Sequence, residues 1–479
     1  MNTKRILLTC CLLGLGAAHS EAVPPAKVAF EGGRIIPVVG EEIAKGTLLI
    51  EHGKITAVGK KVEIPYDAMV IDVSGKVLFP GMISPHTWRG LDRPNENLPV
   101  APYLDVYDAI DPSSLSFEDA LRDGVLAVHV IQGNNCVIGG VSRVVRPIGR
   151  TPDEMTIKPS IALKLSTSPK TGSERMSQMA AMREAFLELA YYLENLAEAR
   201  YEAELKKENK EVDVHPEEAR TRGRELIRDE DLDDKHRNLV KLKDGRVDAW
   251  IYCGAATDVA PAIETAKRNG FLEHTVLVLG TEAYRAVKEL RAVGRPVVLP
   301  EVLVHQERDP ITGELNETFI PKVIHDAGLL YALQPNPSSS LAERFLTYQA
   351  ARCVRHGIPR RAALKAITLN PAKILGIDDQ LGSLEVGKTG NVVILSGDPL
   401  DFNTWVEKAY IDGILAYDRA KDERLKVLLG LKKRQREKEK QEKDKQEEEE
   451  KKETGEQEEK KEEEPSKKKS TQSPSGENR

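Results

Sequence analysis

The chain has 479 residues, with 70 Lys and Arg against 76 Asp and Glu, for a formal charge of -6 at pH 7. So small an imbalance at this length argues against a nucleic-acid partner and against attachment to a charged membrane surface. The length admits one large α/β domain with a smaller companion, and five cysteines are too few for a disulfide-stapled scaffold.

Residues 1–22 read as a secretory signal peptide. Lys4 and Arg5 precede an apolar run from Ile6 to Ala18, and Ala18-His19-Ser20 or Ser20-Glu21-Ala22 offers a small-residue cleavage site. The apolar run is too short to cross a bilayer as an ordinary helix. The mature chain is therefore expected to be exported, periplasmic or extracellular, with no membrane span after cleavage; Cys10 and Cys11 leave a lipid anchor open. Only Cys136, Cys253 and Cys353 lie beyond this segment, without a CxxC spacing, and they read as buried small hydrophobes.

From 23 to 80 the pattern is short alternating β bursts separated by turn residues, such as Glu31-Gly32-Gly33 and Glu51-His52-Gly53-Lys54. The same style returns over 377–420, so the two flanks are expected to meet as a small β-sandwich. Between them, over 81–376, apolar strands alternate with helices. Strands are expected at 77–83, 125–131, 160–165, 249–253, 275–279, 296–304 and 329–333; the intervening helices include 116–123, 174–204, 259–269, 282–293 and 341–356. Such alternation predicts an α/β fold, a TIM-like (β/α)8 barrel with its helices outside. Residues 191–242 are more charged than a normal crossover and read as a helical excursion, either a lid or a solvated helix. From 431 to 479 the chain is a charged, low-complexity tail that cannot form a core; it is either a solvated extension or a docking segment for a partner.

Taken in order, several segments resemble the amidohydrolase superfamily, in particular its imidazolonepropionase-like members. Ile50-Glu-His-Gly-Lys-Ile-Thr-Ala-Val-Gly59 is similar to the entry hairpin of that fold, and Val73-Ser-Gly-Lys-Val-Leu-Phe-Pro-Gly-Met-Ile83 to its first barrel strand. Ala366-Ile-Thr-Leu-Asn-Pro-Ala-Lys-Ile-Leu-Gly376 and Leu381-Gly-Ser-Leu-Glu-Val-Gly-Lys-Thr-Gly-Asn-Val-Val393 resemble its C-terminal return. The resemblance implies a site at the C-terminal strand ends holding one or two divalent metals, such as zinc, for hydrolysis of non-peptide C–N bonds.

The resemblance also implies which positions should carry ligands, and the chain departs at most of them. The family's His-x-His reads His86-Thr87-Trp88, and an indole N–H offers a metal no lone pair. Lys164 falls near where some members place a carbamylated lysine; pairing with a neighbouring carboxylate is the competing reading. Tyr252 occupies the fifth strand's ligand region, Leu279 a histidine position, and Gln334 the position of a catalytic aspartate. A neutral amide has no usable basicity, and a catalytic zinc site normally supplies three protein ligands. His86 is the one ligand type retained, and no catalytic residue or bound metal is assigned. His305 is the best-placed spare imidazole; His129 reads as a core residue, and His274 starts its strand far from the active end. Two functions follow. One is a pseudoenzyme, a scaffold or binding module for an unknown small molecule or protein. The other is a divergent hydrolase of a cyclic amide or dipeptide.

Overall fold

The computed structural model describes residues 26–210, 212, 214–336 and 342–431. The signal peptide expected at 1–22 and the charged tail from 432 onward lie outside the described residues. Through Asp418 the chain forms one compact unit. A second unit begins at Arg419, and its helix Glu423–Leu428 is capped by the Asp422 carboxylate, which accepts from the Leu425 N–H at 3.1 Å.

The first unit is mixed α/β. Its strands are β1 (Lys27–Ile35), β2 (Ile43–Glu51), β3 (Lys54–Gly59), β4 (Met69–Asp72), β5 (Val77–Pro80), β6 (Met82–Thr87), β7 (Val125–Val130), β8 (Ile138–Val141), β9 (Arg143–Val145) and β10 (Thr156–Lys158). They continue with β11 (Ala162–Ser166), β12 (Asp248–Cys253), β13 (Thr275–Leu279), β14 (Val297–Val298), β15 (Val304–Arg308), β16 (Leu315–Phe319), β17 (Tyr331–Ala332), β18 (Val392–Leu395), β19 (Val406–Ile411) and β20 (Ile414–Asp418).

The two flanks do meet, but as one continuous eight-stranded sheet in the order β20-β19-β18-β5-β1-β2-β3, with β4 also paired to β1. The join is β18 lying antiparallel to β5, Val392 opposite Pro80. The β2–β3 turn places His52 and Gly53 at φ 48° and 77°, the left-handed pair that matches strand twist in a tight hairpin. One face buries Val28, Phe30, Leu48, Leu78 and Ile394, where Phe30 meets the Tyr410 ring edge-on at 4.8 Å.

The strand expected at 77–83 is in fact two. At Gly81 the chain leaves the flank sheet and enters the inner one, with its N–H bonded to Asn391 O. A Cβ at Gly81 would stand 2.8 Å from the Leu126 side chain, so only glycine fits this passage. The inner strands form two parallel sets, β6 with β7 and β11-β12-β13-β14-β17 in that order. The consecutive strands β8 and β9 lie between them, each antiparallel to its neighbour, β9 on β7 and β8 on β11. On the other side Ala366 O accepts from Leu333 N–H and Ile367 O from Ile83 N–H, linking the end of β17 to β6. The strand expected at 296–304 ends after Val298; Val304 instead opens an exposed hairpin with β16.

Alternation along these strands separates two cores. Ile83, Ala127, Ile161, Trp250, Val276 and Val278 share the inner cluster, whereas Leu163, Ile251, Leu277 and Leu279 pack on the helix side. The charged excursion is a helical structure with its own packing rather than a lone solvated helix. Arg175–Lys207 runs alongside Pro216–Arg224, and Gly223 sits so close that a Cβ would fall 1.9 Å from Ala197 O.

Gly280 is pinned between backbones at the end of β13: a Cβ there would meet Gly254 O at 2.3 Å and Gly254 Cα at 2.6 Å. Gly280→Ala is expected to cost about 1–3 kcal/mol, since neither backbone can yield as a flexible side chain would. Urea denaturation of the two proteins checks this.

Candidate functional site

At the C-terminal end of the inner strands, β6 delivers His86 and β11 delivers Lys164, and both are fully enclosed. Lys164 Nζ lies 3.0 Å from His86 Nε2 and 2.7 Å from Asn134 Oδ1. An ammonium has three protons and no lone pair, so it donates to both and His86 Nε2 accepts. The imidazole is therefore neutral with its proton on Nδ1. Among the described residues no carboxylate pairs with this lysine or shifts its pKa. Burial lowers its pKa to about 8, opposed by Cys136 and Cys253. The competing reading of a lysine paired to a carboxylate is thus not what the structure shows.

Burial also holds the His86 pKa well below the ordinary imidazole value, and the Lys164 and His129 charges push the same way. The neighbouring Gln334 side chain opposes the shift. Gln334 follows β17, and its Nε2 donates to Leu299 O at 2.8 Å. That bond fixes the carboxamide with its nitrogen toward the Leu299 carbonyl just beyond β14, an orientation no aspartate could share, since a carboxylate has no proton to donate. Beneath the pair sits Trp250, opposite Lys164 in the β11–β12 register. Its ring stacks on His86 at 6.4 Å and meets His129 edge-on at 4.4 Å. His129 is a core residue with both nitrogens used, Nδ1 2.6 Å from Pro85 O and Nε2 2.7 Å from Ser142 Oγ. Desolvation lowers its pKa to about 3.

Of the other residues marked in the sequence, Tyr252 joins this group, its ring 5.7 Å from Lys164 Nζ. Trp88 falls one residue beyond β6, half-buried, with the Arg89 guanidinium 5.8 Å from its ring. Leu279 does not join it. Pairing with Cys253 on β12 puts it on the helix side, and the inward residue at that level is Val278, paired with Tyr252. His305 lies on the exposed hairpin against Tyr284 and Arg285, and His274 stands beside Asp248 at the opposite strand ends. The Cys253 thiol is buried and pushed up to about 12, which removes it as a nucleophile at neutral pH.

Three features were missed in the sequence. Asn134 lies on the loop that enters β8, where Gly139 is needed because a Cβ would meet Gln132 Oε1 at 2.4 Å. Glu301 follows the end of β14; burial raises its pKa, Arg89 lowers it, and its charge reaches Tyr252. The third is a buried lock on the same strand ends. Asp258, 1 % exposed, pairs with Arg175 and accepts from Ser168 Oγ, while Ser168 Oγ accepts from Gly254 N–H at 2.7 Å. A polar residue directly after an apolar strand end was the available signal for Glu301 and Ser168.

The resemblance implies a divalent metal here, and the donor set does not fit one. The His86 Nε2 lone pair is taken by an ammonium, both His129 nitrogens are engaged, and Gln334 is turned toward Leu299 O. Among the described residues no group of three His, Cys, Asp or Glu side chains is placed to hold an ion.

With this geometry established, known proteins give the class. The sequence matches the amidohydrolase family over residues 343–417. It is 22% identical to amidohydrolase tasK of Hapsidospora irregularis over 78% of this chain and 40% of that protein. It is 24% identical to imidazolonepropionase of Maricaulis maris over 38% of this chain and 44% of that one. The chain thus spans less than half the length of either curated relative. The solved amidohydrolase from Thermotoga maritima superposes with a TM-score of 0.68 at 28% identity, covering 82% of this chain and all of that one. Together these make the chain similar to amidohydrolases in sequence and fold.

His129, held neutral when folded, contributes stability that is present above its unfolded pKa of ~6.5 and lost as pH falls toward about 3. Between pH 6.5 and 5, His129→Gln should therefore flatten the pH dependence of unfolding free energy by up to about 1.4 kcal/mol per pH unit relative to wild type. Denaturant titrations at both pH values measure the difference in slope.

Proposed function

We propose that this chain is an exported amidohydrolase-fold protein whose strand-end pocket binds a small molecule or protein partner without metal-dependent hydrolysis. We also infer the finer architecture: a closed (β/α)8 barrel over 81–376, a β-sandwich from 23–80 and 377–420, and a docking tail from 431 to 479. The run of β8 and β9 between the two parallel sets and the 366–367 link on the other side support closure. Partial similarity to imidazolonepropionase supports that subgroup.

The observation that carries the functional reading is the Lys164 ammonium on His86 Nε2. A cation already stands where the retained imidazole would bind a metal ion. Lysine charge is confined to one proton-bearing nitrogen, so it cannot polarise a bound water as a divalent ion does. The partly exposed Trp88, Arg89, Asn134, Tyr252 and Glu301 would then form the recognition surface, held from beneath by the buried His86, Lys164 and Gln334.

One observation favours a second reading. With its pKa near 8, Lys164 carries a neutral fraction at physiological pH, and the neutral amine frees the imidazole lone pair. A divergent hydrolase of a cyclic amide or dipeptide would use that state.

Elemental analysis of purified protein after dialysis separates the two readings. Less than about a tenth of a metal equivalent per chain is expected, with an unchanged melting temperature in EDTA, because a structural or catalytic ion bound to the native state would add stability by mass action. Near-stoichiometric zinc, manganese or iron, lost on His86→Ala, would overturn the first reading.

A further inference from the structure

The near-neutral balance of the whole chain hides a local segregation of charge just past the first compact unit. The second unit contains the helix Glu423–Leu428, and Gly430 turns the chain out of it at φ 67°. Within the helix Lys426 is paired with Glu423 at 3.0 Å. Its apolar end is uncovered. Val427, Leu428, Leu429 and Leu431 are 58%, 80%, 56% and 44% exposed, and Gly430 adds no polar side chain among them. A lone exposed leucine needs no explanation, whereas a contiguous aliphatic run marks a surface that something covers.

Lys432, Lys433, Arg434 and Arg436 follow this run at once, and no acidic residue lies between Glu423 and Glu437. We propose that residues 427–436 seat the chain on an anionic lipid surface, with the aliphatic side chains in the headgroup boundary and the cations on the lipid phosphates. The proposal rests on reading the tail as a docking segment and is independent of the His86 site. Burial of a short apolar segment and attraction to anionic headgroups are each weak alone and add when adjacent. The run is far too short to cross a bilayer, so the chain would lie on the surface.

Charge selects this occupant. A second copy of the chain docked on the same run would bring two basic clusters together, which like charge opposes. The acidic run Glu447–Glu450 begins eleven residues after Arg436. Screening over about 10 Å in 0.1 M salt leaves the charges next to the aliphatic run dominant.

Cosedimentation of the mature chain, residues 23–479, with phosphatidylcholine vesicles containing 30 mol% phosphatidylglycerol tests this, with pure phosphatidylcholine vesicles as comparator. Partitioning to the anionic vesicles in 0.1 M NaCl is expected to exceed that to the neutral ones at least about tenfold, and to fall at least about fivefold in 0.5 M NaCl. Lys432→Gln with Lys433→Gln should weaken it at least about tenfold. Leu428→Ser with Leu429→Ser should do the same through lost apolar burial. Equal binding to both vesicles, or unchanged binding in either double variant, would overturn the proposal. So would no binding to anionic vesicles, a result that leaves the tail reading standing with a protein as its partner. All four substituted positions lie beyond Asp418, outside the first compact unit, so a loss of binding there is not a loss of that fold.

Discussion

Lys164 brings a positive charge into an enclosed site where, among the described residues, no carboxylate answers it, and the surrounding chemistry follows from that. A buried ammonium is costly unless each proton finds an acceptor. Here the acceptors are neutral: the His86 Nε2 lone pair and the Asn134 side-chain oxygen. The cost shows as a pKa drawn down to about 8. The same contact keeps His86 neutral, since an imidazolium would lose the lone pair and face a second cation. One hydrogen bond thereby sets the protonation of both groups and the tautomer of the histidine.

Strand geometry makes the contact possible. Lys164, Trp250 and Val276 lie level across β11, β12 and β13, all on the inner side, so the indole supports the lysine stem and stacks on the imidazole. The loops beyond these strands are tied through the buried Asp258 carboxylate, which accepts from Ser168 Oγ and the Ala255 N–H and pairs with the partly exposed Arg175.

Much of this was legible in the sequence because periodicity encodes it. The strands at β7, β11, β12 and β13 and the helices after them carried uninterrupted apolar runs or clear amphipathic spacing. His86, Lys164, Tyr252 and Gln334 were marked from the resemblance, and they come together. Leu279 was misplaced because parity, rather than proximity to a strand end, decides which way a side chain faces, and a one-residue offset reverses it. The 77–83 strand was read as one because its apolar run is continuous; the break depends on Gly81 meeting Leu126, a contact remote in sequence. Trp250 and Asn134 were not marked because their roles exist only through cross-strand neighbours. Neither spacing nor composition could reveal that Lys164 and His86, 78 residues apart, share a hydrogen bond.

The central claim is that the His86 lone pair is committed to Lys164 and is closed to a metal ion. Long-range 1H–15N NMR of the imidazole nitrogens, recorded at pH 7 before and after one equivalent of Zn²⁺, addresses it directly. The expected spectrum shows a neutral His86 ring protonated on Nδ1, with an Nε2 shift that added zinc leaves unchanged and that moves in Lys164→Met. A zinc-dependent shift of His86 Nε2 to the range of a metal-bound imidazole in the wild-type chain would contradict the account.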